Sequence, residues 1–217
     1  MKKKFVRAAV GCALFVLIIV LVKTVDVAAV GPAGTEIGLS HLNAGFHNLI
    51  GQHMFLYQAT NLLGFWAILT GCIFAVIGVV QLVQRKSLAK VDRQILALGS
   101  LFVLLGVIYV LFEKVVVNCR PILMEGETVP EASFPSSHTV LACVIFGSVA
   151  MIVRDYVNDK KTAALVQNAC LVLMVVAVLG RLFSGVHWLT DILGGLFLSY
   201  ALLQAFSGVL ERLRQKA

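Results

Sequence analysis

Six apolar stretches, near residues 5–23, 58–83, 95–116, 138–154, 163–182 and 191–209, take up most of this chain. A hydrocarbon core of about 30 Å is crossed by a helix of about 20 apolar residues. No water is available at that depth for a backbone left outside a helix or a closed barrel. Each stretch therefore reads as a transmembrane helix, and the chain as an all-α, six-transmembrane-helix bundle. Composition agrees: 59% of the 217 residues are apolar and only 13% charged, whereas a soluble domain is near half apolar with about a quarter charged. The same figures exclude a disordered chain. Of the five cysteines, Cys12, Cys72, Cys143 and Cys170 lie inside apolar runs and only Cys119 sits by a polar loop, so no disulfide framework is implied.

The basic residues orient the bundle. Lys2, Lys3, Lys4 and Arg7 precede the first span; Arg85, Lys86, Lys90 and Arg93 fill the gap between the second and third. Arg154, Lys160 and Lys161 flank the gap between the fourth and fifth, and Arg212, Arg214 and Lys216 follow the sixth. All of these fall on one face, which the excess of Lys and Arg marks as cytoplasmic; only Lys23, Lys114, Arg120 and Arg181 fall on the other. Both the N- and C-termini are then expected inside. The net charge of +7 reflects this retention rather than affinity for nucleic acid. The first span has a basic start and a small-residue exit at Val27-Ala28-Ala29, but its apolar run is long for a signal peptide, and it reads as a retained helix. The gap Phe183–Thr190 is so short that the last two spans should form an antiparallel pair.

The segment Gly34–Gln52 carries Leu39, Leu42, Phe46, Leu49 and Ile50 at helical spacing among polar residues. It is expected to be a short amphipathic helix on the outer membrane surface. His41, His47 and His53 recur every six residues, which does not keep them on one face, and they read as polar-face histidines rather than a metal site. With no internal repeat and no linker composition, residues 1–217 read as one domain.

Ionisable groups at the ends of apolar spans are costly and point to function. Here they gather on the expected outer side. Glu113, Lys114 and Arg120-Pro121 end the third span, Phe134-Pro135-Ser136-Ser137-His138 opens the fourth, and Arg181, His187 and Asp191 bracket the turn between the last two. Pro135-Ser136-Ser137 before an apolar run marks a helix start with a serine cap, and a helix N-terminus is an anion site. His187 and Asp191 are four apart; on one helix face the carboxylate would hold one imidazole nitrogen and leave the other free as base or nucleophile. Arg120 and Arg181 supply forked donors suited to phosphate. Taken singly, an arginine at a span end is an interfacial anchor, a Pro-Ser-Ser is a cap, and a His–Asp pair is structural. Together, on one side, they describe phosphoryl chemistry.

These residues resemble the signature of the type 2 phosphatidic acid phosphatase superfamily, which includes lipid phosphatases and vanadium haloperoxidases. That signature is a lysine, six residues and Arg-Pro; then Pro-Ser-Gly-His; then Ser-Arg, five residues, His, three residues and Asp. The chain has Arg120-Pro121, Pro135-Ser136-Ser137-His138, and Gly180-Arg181 with His187 and Asp191 at the family's spacing, and the resemblance covers roughly residues 95–210. It implies that His187 attacks phosphorus to form a phosphohistidine, with Asp191 orienting it. His138 would protonate the leaving group and then activate water, while Arg120, Arg181, Ser136, Ser137 and Lys114 hold phosphate. No metal or other cofactor is implied, since the arginines take that role.

Three positions depart from the signature. Gly180 replaces its serine, Ser137 replaces its glycine, and Lys114 lies six positions before Arg120 where the family has seven. At about 100° per residue, six positions land about 120° from the starting face. Glu113 holds the seventh position, and is expected to pair with Arg120 or another cation, or to be protonated.

The resemblance implies a metal-independent phosphatase acting on a lipid phosphate or diphosphate at the outer face of the cell membrane. The substrates this implies are undecaprenyl diphosphate, phosphatidylglycerol phosphate or phosphatidic acid, and a lipid phosphotransferase is the near alternative. A transporter would place ionisable groups at mid-span, where this chain has none. A non-catalytic scaffold sits poorly with His138, Arg181, His187 and Asp191 all in place. Six spans exclude a soluble haloperoxidase.

Overall fold

The computed structural model describes residues 1–215; Lys216, part of the basic cluster after the last span, lies outside the described residues. Seven α-helices follow in order: α1 (Lys2–Thr24), α2 (Ser40–Ile50), α3 (Met54–Arg85), α4 (Arg93–Lys114), α5 (Ser137–Tyr156), α6 (Lys160–Ser184) and α7 (Leu189–Arg214). All but α2 are long and apolar enough to cross a membrane. The fold is all-α with six spans, as the hydropathy requires. α3 begins four residues before the expected start, and that extra turn brings Tyr57 to the site described below.

α5 is the axis of the bundle: 72% of its apolar stretch is buried inside the protein, against 17% for α6. It packs on α6, α7 and α3, while α1 lies along α7. The last two spans, expected as an antiparallel pair, are joined by a tight turn but are not each other's main packing partners. Gly185–Trp188 does turn the chain back, but α6 packs chiefly on α5 and α3, and α7 on α1 and α5. A four-residue connection fixes where two helices meet at one end; it does not decide which flanks are small enough to approach. In α1, for example, a Cβ on Gly11 would sit 3.0 Å from the Ala201 Cβ of α7, so the two backbones are nearly in contact.

One end of the bundle carries a folded cap made of the segments before α3, between α4 and α5, and between α6 and α7. α2 spans Ser40–Ile50, shorter than the expected Gly34–Gln52. Its start is organised from a distance by Asp26: the carboxylate accepts from the Ser40 hydroxyl (3.0 Å) and the His41 backbone N–H (2.9 Å), and faces His41 Nδ1 at 2.7 Å. The His41 hydrogen bonds hold Asp26 below the usual carboxylate range. Leu42 and Leu49 are exposed, as on an amphipathic helix, but the opposite face is anchored to α7. Asn43, fully buried, accepts from the backbone N–H and the hydroxyl of Thr190 (3.2 Å each) and donates to Gly38 O (2.9 Å). The three histidines go separate ways: His41 to Asp26, His47 edge-on to Trp188, and His53 Nε2 to Ile50 O at 2.9 Å.

Candidate active site

The segment between α4 and α5 folds back on itself as a small antiparallel ladder. Cys119 bridges Ala132, Arg120 N–H donates to Glu131 O (3.0 Å), and Ser133 N–H donates to Asn118 O (3.0 Å). This ladder fixes Asn118, Arg120 and Ser133 relative to one another. It is pinned to α7 where Ser136 N–H donates to Asp191 O (3.1 Å) and Trp188 Nε1–H donates to Cys119 O (2.8 Å). Phe134, between Ser133 and Pro135, plugs into the apolar core and stacks on Phe15 at 5.6 Å. The order of residues in the turn thus sends apolar side chains inward and polar ones toward α7.

His187 and Asp191 meet, though not on one helix face. α7 begins at Leu189, so His187 precedes the helix and Asp191 stands in its first turn. There the carboxylate accepts from the Trp188 backbone N–H at 2.9 Å, the position an acidic residue takes to satisfy a helix N-terminus. The direct gap from His187 Nδ1 to Asp191 Oδ2 is 3.5 Å. Ser133 Oγ sits between them, 2.9 Å from Nδ1 and donating to Oδ2 at 2.5 Å. Asn118 Nδ2–H donates to the other oxygen, Oδ1, at 2.9 Å. His187 is buried, and its Nε2 has no hydrogen-bond partner. Burial pushes its pKa down to about 4; the nearby Asp191 carboxylate pulls the other way, and the positive charges of Arg120 and Arg181 add to the depression. At neutral pH the imidazole is uncharged, with one nitrogen held and the other bare.

Arg181, in the last turn of α6, is fully buried. Its guanidinium lies over the Tyr57 ring, 4.7 Å from the centroid, and Nη2 donates to Asn61 Oδ1. Nε and Nη1 have no partner. A buried cation with two unused donors is a costly arrangement that an anion would relieve. Arg120 reaches the same place from the ladder: Nη1 donates to Val186 O at 3.4 Å, and Nε is 2.8 Å from Glu131 Oε2 in an ion pair not aligned as a hydrogen bond. Glu131, not Glu113, is therefore the carboxylate partner of Arg120, which corrects the expectation for Glu113. Glu113 and Lys114 both end α4 with exposed side chains and have no ion-pair partner among the described residues.

Ser136 is the residue before α5, as the Pro-Ser-Ser pattern requires, but its buried hydroxyl caps no backbone N–H; it accepts from Thr139 Oγ1 at 3.0 Å. Half-buried Ser137 opens the helix, followed by His138. His138 is within electrostatic reach of Arg181, His187 and Arg120. It packs on α3, where a Cβ on Gly64 would come within 2.8 Å of its ring. The departure at Gly180 also has a spatial cause: a Cβ there would lie 2.5 Å from Thr60 Cγ2. Thr60 directs its hydroxyl back to Leu56 O and Tyr57 O, so a methyl group fills the space a side chain at 180 would need.

The sequence pattern missed Asn118, Ser133, Tyr57 and Asn61. Asn118 and Ser133 each lie two residues before a motif element, Arg120 and Pro135, which is the only local signal they carry. Tyr57 and Asn61 lie one helical turn apart on α3, far from the motifs, and nothing in their surroundings marks them.

Gathered at one end of a six-span bundle are buried His187, Asp191 and Arg181 and half-buried His138 and Arg120, beside the N-terminus of α5. Residues 94–214 match the PAP2 superfamily, to which the chain belongs. Over 88 residues it is 32% identical to phosphatidylglycerophosphatase B of Bacillus subtilis (strain 168), a match that takes in 39% of this chain and 43% of that protein, under half its length. The fold is shared with the crystal structure of the first transmembrane PAP2 type phosphatidylglycerolphosphate phosphatase from Bacillus subtilis, with a TM-score of 0.64 at 18% identity, covering 95% of this chain and 96% of that one. The superfamily match begins at α4, so α2 and α3, which supply Asn43, Tyr57, Thr60 and Asn61, lie outside it.

Proposed function

We propose that this protein is a metal-independent lipid phosphate phosphatase that works through a phosphohistidine. The observation that carries this is the bare, buried Nε2 of His187 beside the unpartnered guanidinium nitrogens of Arg181. A nucleophile and an anion cradle, both desolvated and both lacking a partner, are complementary to a phosphoryl group. Arg120, Arg181 and the first-turn N–H groups of α5 at Ser137 and His138 hold the phosphate oxygens as charge builds. His187 Nε2 bonds to phosphorus while the bond to the lipid oxygen breaks, and protonated His138 gives that oxygen its proton. Water then attacks the phosphohistidine, passing a proton to His138 as the P–N bond breaks, which restores both histidines. Asp191 orients His187 and stabilises the imidazolium. Lys114 is left a supporting role at most, since its side chain is exposed.

A lipid phosphate fits a site at the end of a membrane bundle, its tail in the bilayer and its headgroup at the arginines. The distribution of Lys and Arg supports termini on the cytoplasmic side and the site on the outer face. Phosphatidylglycerol phosphate is the substrate to test first, on the strength of the name of the curated relative; undecaprenyl diphosphate and phosphatidic acid are the comparators. The test is phosphate release by detergent-purified protein with EDTA present, beside His187→Ala. Release that depends on His187 supports the reading and ranks the substrates. Release that survives His187→Ala, or that EDTA abolishes, overturns it.

A further inference from the structure

The His187–Asp191 pair is the expected engine of the site, yet at 3.5 Å the two do not hydrogen-bond directly, since N–H···O contacts lie at about 2.7–3.2 Å. The space between them is bridged by one atom. Ser133 Oγ is 2.9 Å from His187 Nδ1 and 2.5 Å from Asp191 Oδ2, and the serine is buried. We propose that Ser133 is a positioning residue: its hydroxyl carries the coupling of Asp191 to His187 and sets the imidazole tautomer that leaves Nε2 free. This rests on His187 being the nucleophile.

The direction of the chain follows from counting protons. Asp191 accepts from Trp188 N–H and from Asn118 Nδ2–H, so its carboxylate has only acceptor positions to offer. The single Ser133 hydroxyl proton must then point to Oδ2, and Oγ can only accept from the histidine. Nδ1 therefore carries the ring proton, and the lone pair stands on Nε2, the atom without a partner. When Nε2 bonds to phosphorus the ring becomes cationic. The Nδ1 proton stays in place, and its positive charge is met through Oγ–H by the carboxylate; no proton leaves the relay. Ser133 has its position from the ladder, where its N–H is bound to Asn118 O, so one short segment places both the relay hydroxyl and the second partner of Asp191.

The experiment uses the full-length protein in detergent, as wild type and as Ser133→Ala, Ser133→Thr and His187→Gln. Nitrogen-15 NMR of histidine-labelled protein reads the tautomer of His187, whose signal is assigned by its loss in His187→Gln. Wild type should show protonated Nδ1 and bare Nε2. Ser133→Ala should give a mixture of tautomers, and Ser133→Thr, which keeps a hydroxyl, should restore the wild-type signal. In turnover of phosphatidylglycerol phosphate, Ser133→Ala should lower kcat by about 10–100-fold with KM within about threefold. That loss is smaller than the roughly 10⁴-fold of a wrongly held triad histidine, because Asp191 can close part of the gap. A wild-type His187 protonated on Nε2 would overturn the relay without any variant, and so would Ser133→Ala with unchanged tautomer and kcat. Absence of His187-dependent turnover in wild type would instead count against the phosphatase reading, while the NMR signals would still decide whether Ser133 sets the tautomer.

Discussion

Gly180 and Thr60 should be thermodynamically coupled, with a sign that reverses between backgrounds. A Cβ added at Gly180 meets Thr60 Cγ2 at 2.5 Å; the next atom, Thr60 Cβ, is 4.0 Å away. The clash therefore resides in a single methyl group. Gly180→Ala gains about 1 kcal/mol in helix propensity, but overpacking of this kind costs about 1–3 kcal/mol. The expected net change runs from about zero to about 2 kcal/mol of destabilisation. Thr60→Ser removes only the offending methyl, keeps the hydroxyl that bonds Leu56 O and Tyr57 O, and by itself costs about 0.8 kcal/mol for the lost buried group. In that background Gly180→Ala meets nothing closer than ordinary contact, and should stabilise by about 1 kcal/mol. The coupling energy is then about 1–3 kcal/mol, well above the few tenths seen between independent sites. Melting in detergent at a fixed scan rate is the assay, with about 2–4 °C per kcal/mol for a chain of this size. Gly180→Ala should leave Tm unchanged or lower it by several degrees in wild type, and raise it in Thr60→Ser. Equal effects in the two backgrounds would refute the claim that Thr60 is the reason glycine stands at 180.

Glu113→Gln should leave the pH profile of phosphate release unchanged, because Glu113 is exposed and Arg120 pairs with Glu131 instead; a displaced profile would return Glu113 to the site. Asn43→Ala strips the Thr190 N–H and hydroxyl of their buried acceptor, at a cost of about 1–3 kcal/mol, and should loosen α2 from α7 as seen by faster proteolysis between residues 38 and 53. His187 gives a pH dependence of defined sign. Its pKa in the folded protein is about 4, below the roughly 6.5 of an unfolded histidine. The unfolded chain therefore binds the extra proton first, and stability falls as pH drops from about 6.5 toward 4. His187→Gln should flatten that slope in acid melting curves; an unchanged slope would place the proton elsewhere. Turnover should fail lower, as pH falls through about 4, where the folded protein protonates His187 and removes the Nε2 lone pair.

The bundle was legible in the sequence because a membrane makes each span answer for itself. A stretch of apolar residues must satisfy its own backbone by forming a helix, so span number and approximate bounds follow from local composition alone. The clustering of the candidate site residues was legible for a related reason. His138, Arg181, His187 and Asp191 are polar groups at the ends of apolar runs, where they are too costly to be incidental, and their spacing is set by short turns that neighbouring residues determine.

What the tertiary structure decided is everything that depends on two distant segments meeting. That α5 rather than α7 is the chief neighbour of α6, that Arg120 takes Glu131 in place of Glu113, and that Thr60 fills the space beside Gly180 are consequences of packing, which no window of sequence contains. The same holds for Ser133, Asn118, Tyr57 and Asn61. Each is an ordinary polar or aromatic residue whose role appears only when the ladder between α4 and α5 folds onto α7, or when α3 lies against α6. Composition and spacing determined that His138, Arg181, His187 and Asp191 would sit at one end of six helices. The geometry that leaves one nitrogen of His187 held and the other bare was decided by the fold, because hydrogen-bond partners are assigned by distance in space and not by distance along the chain.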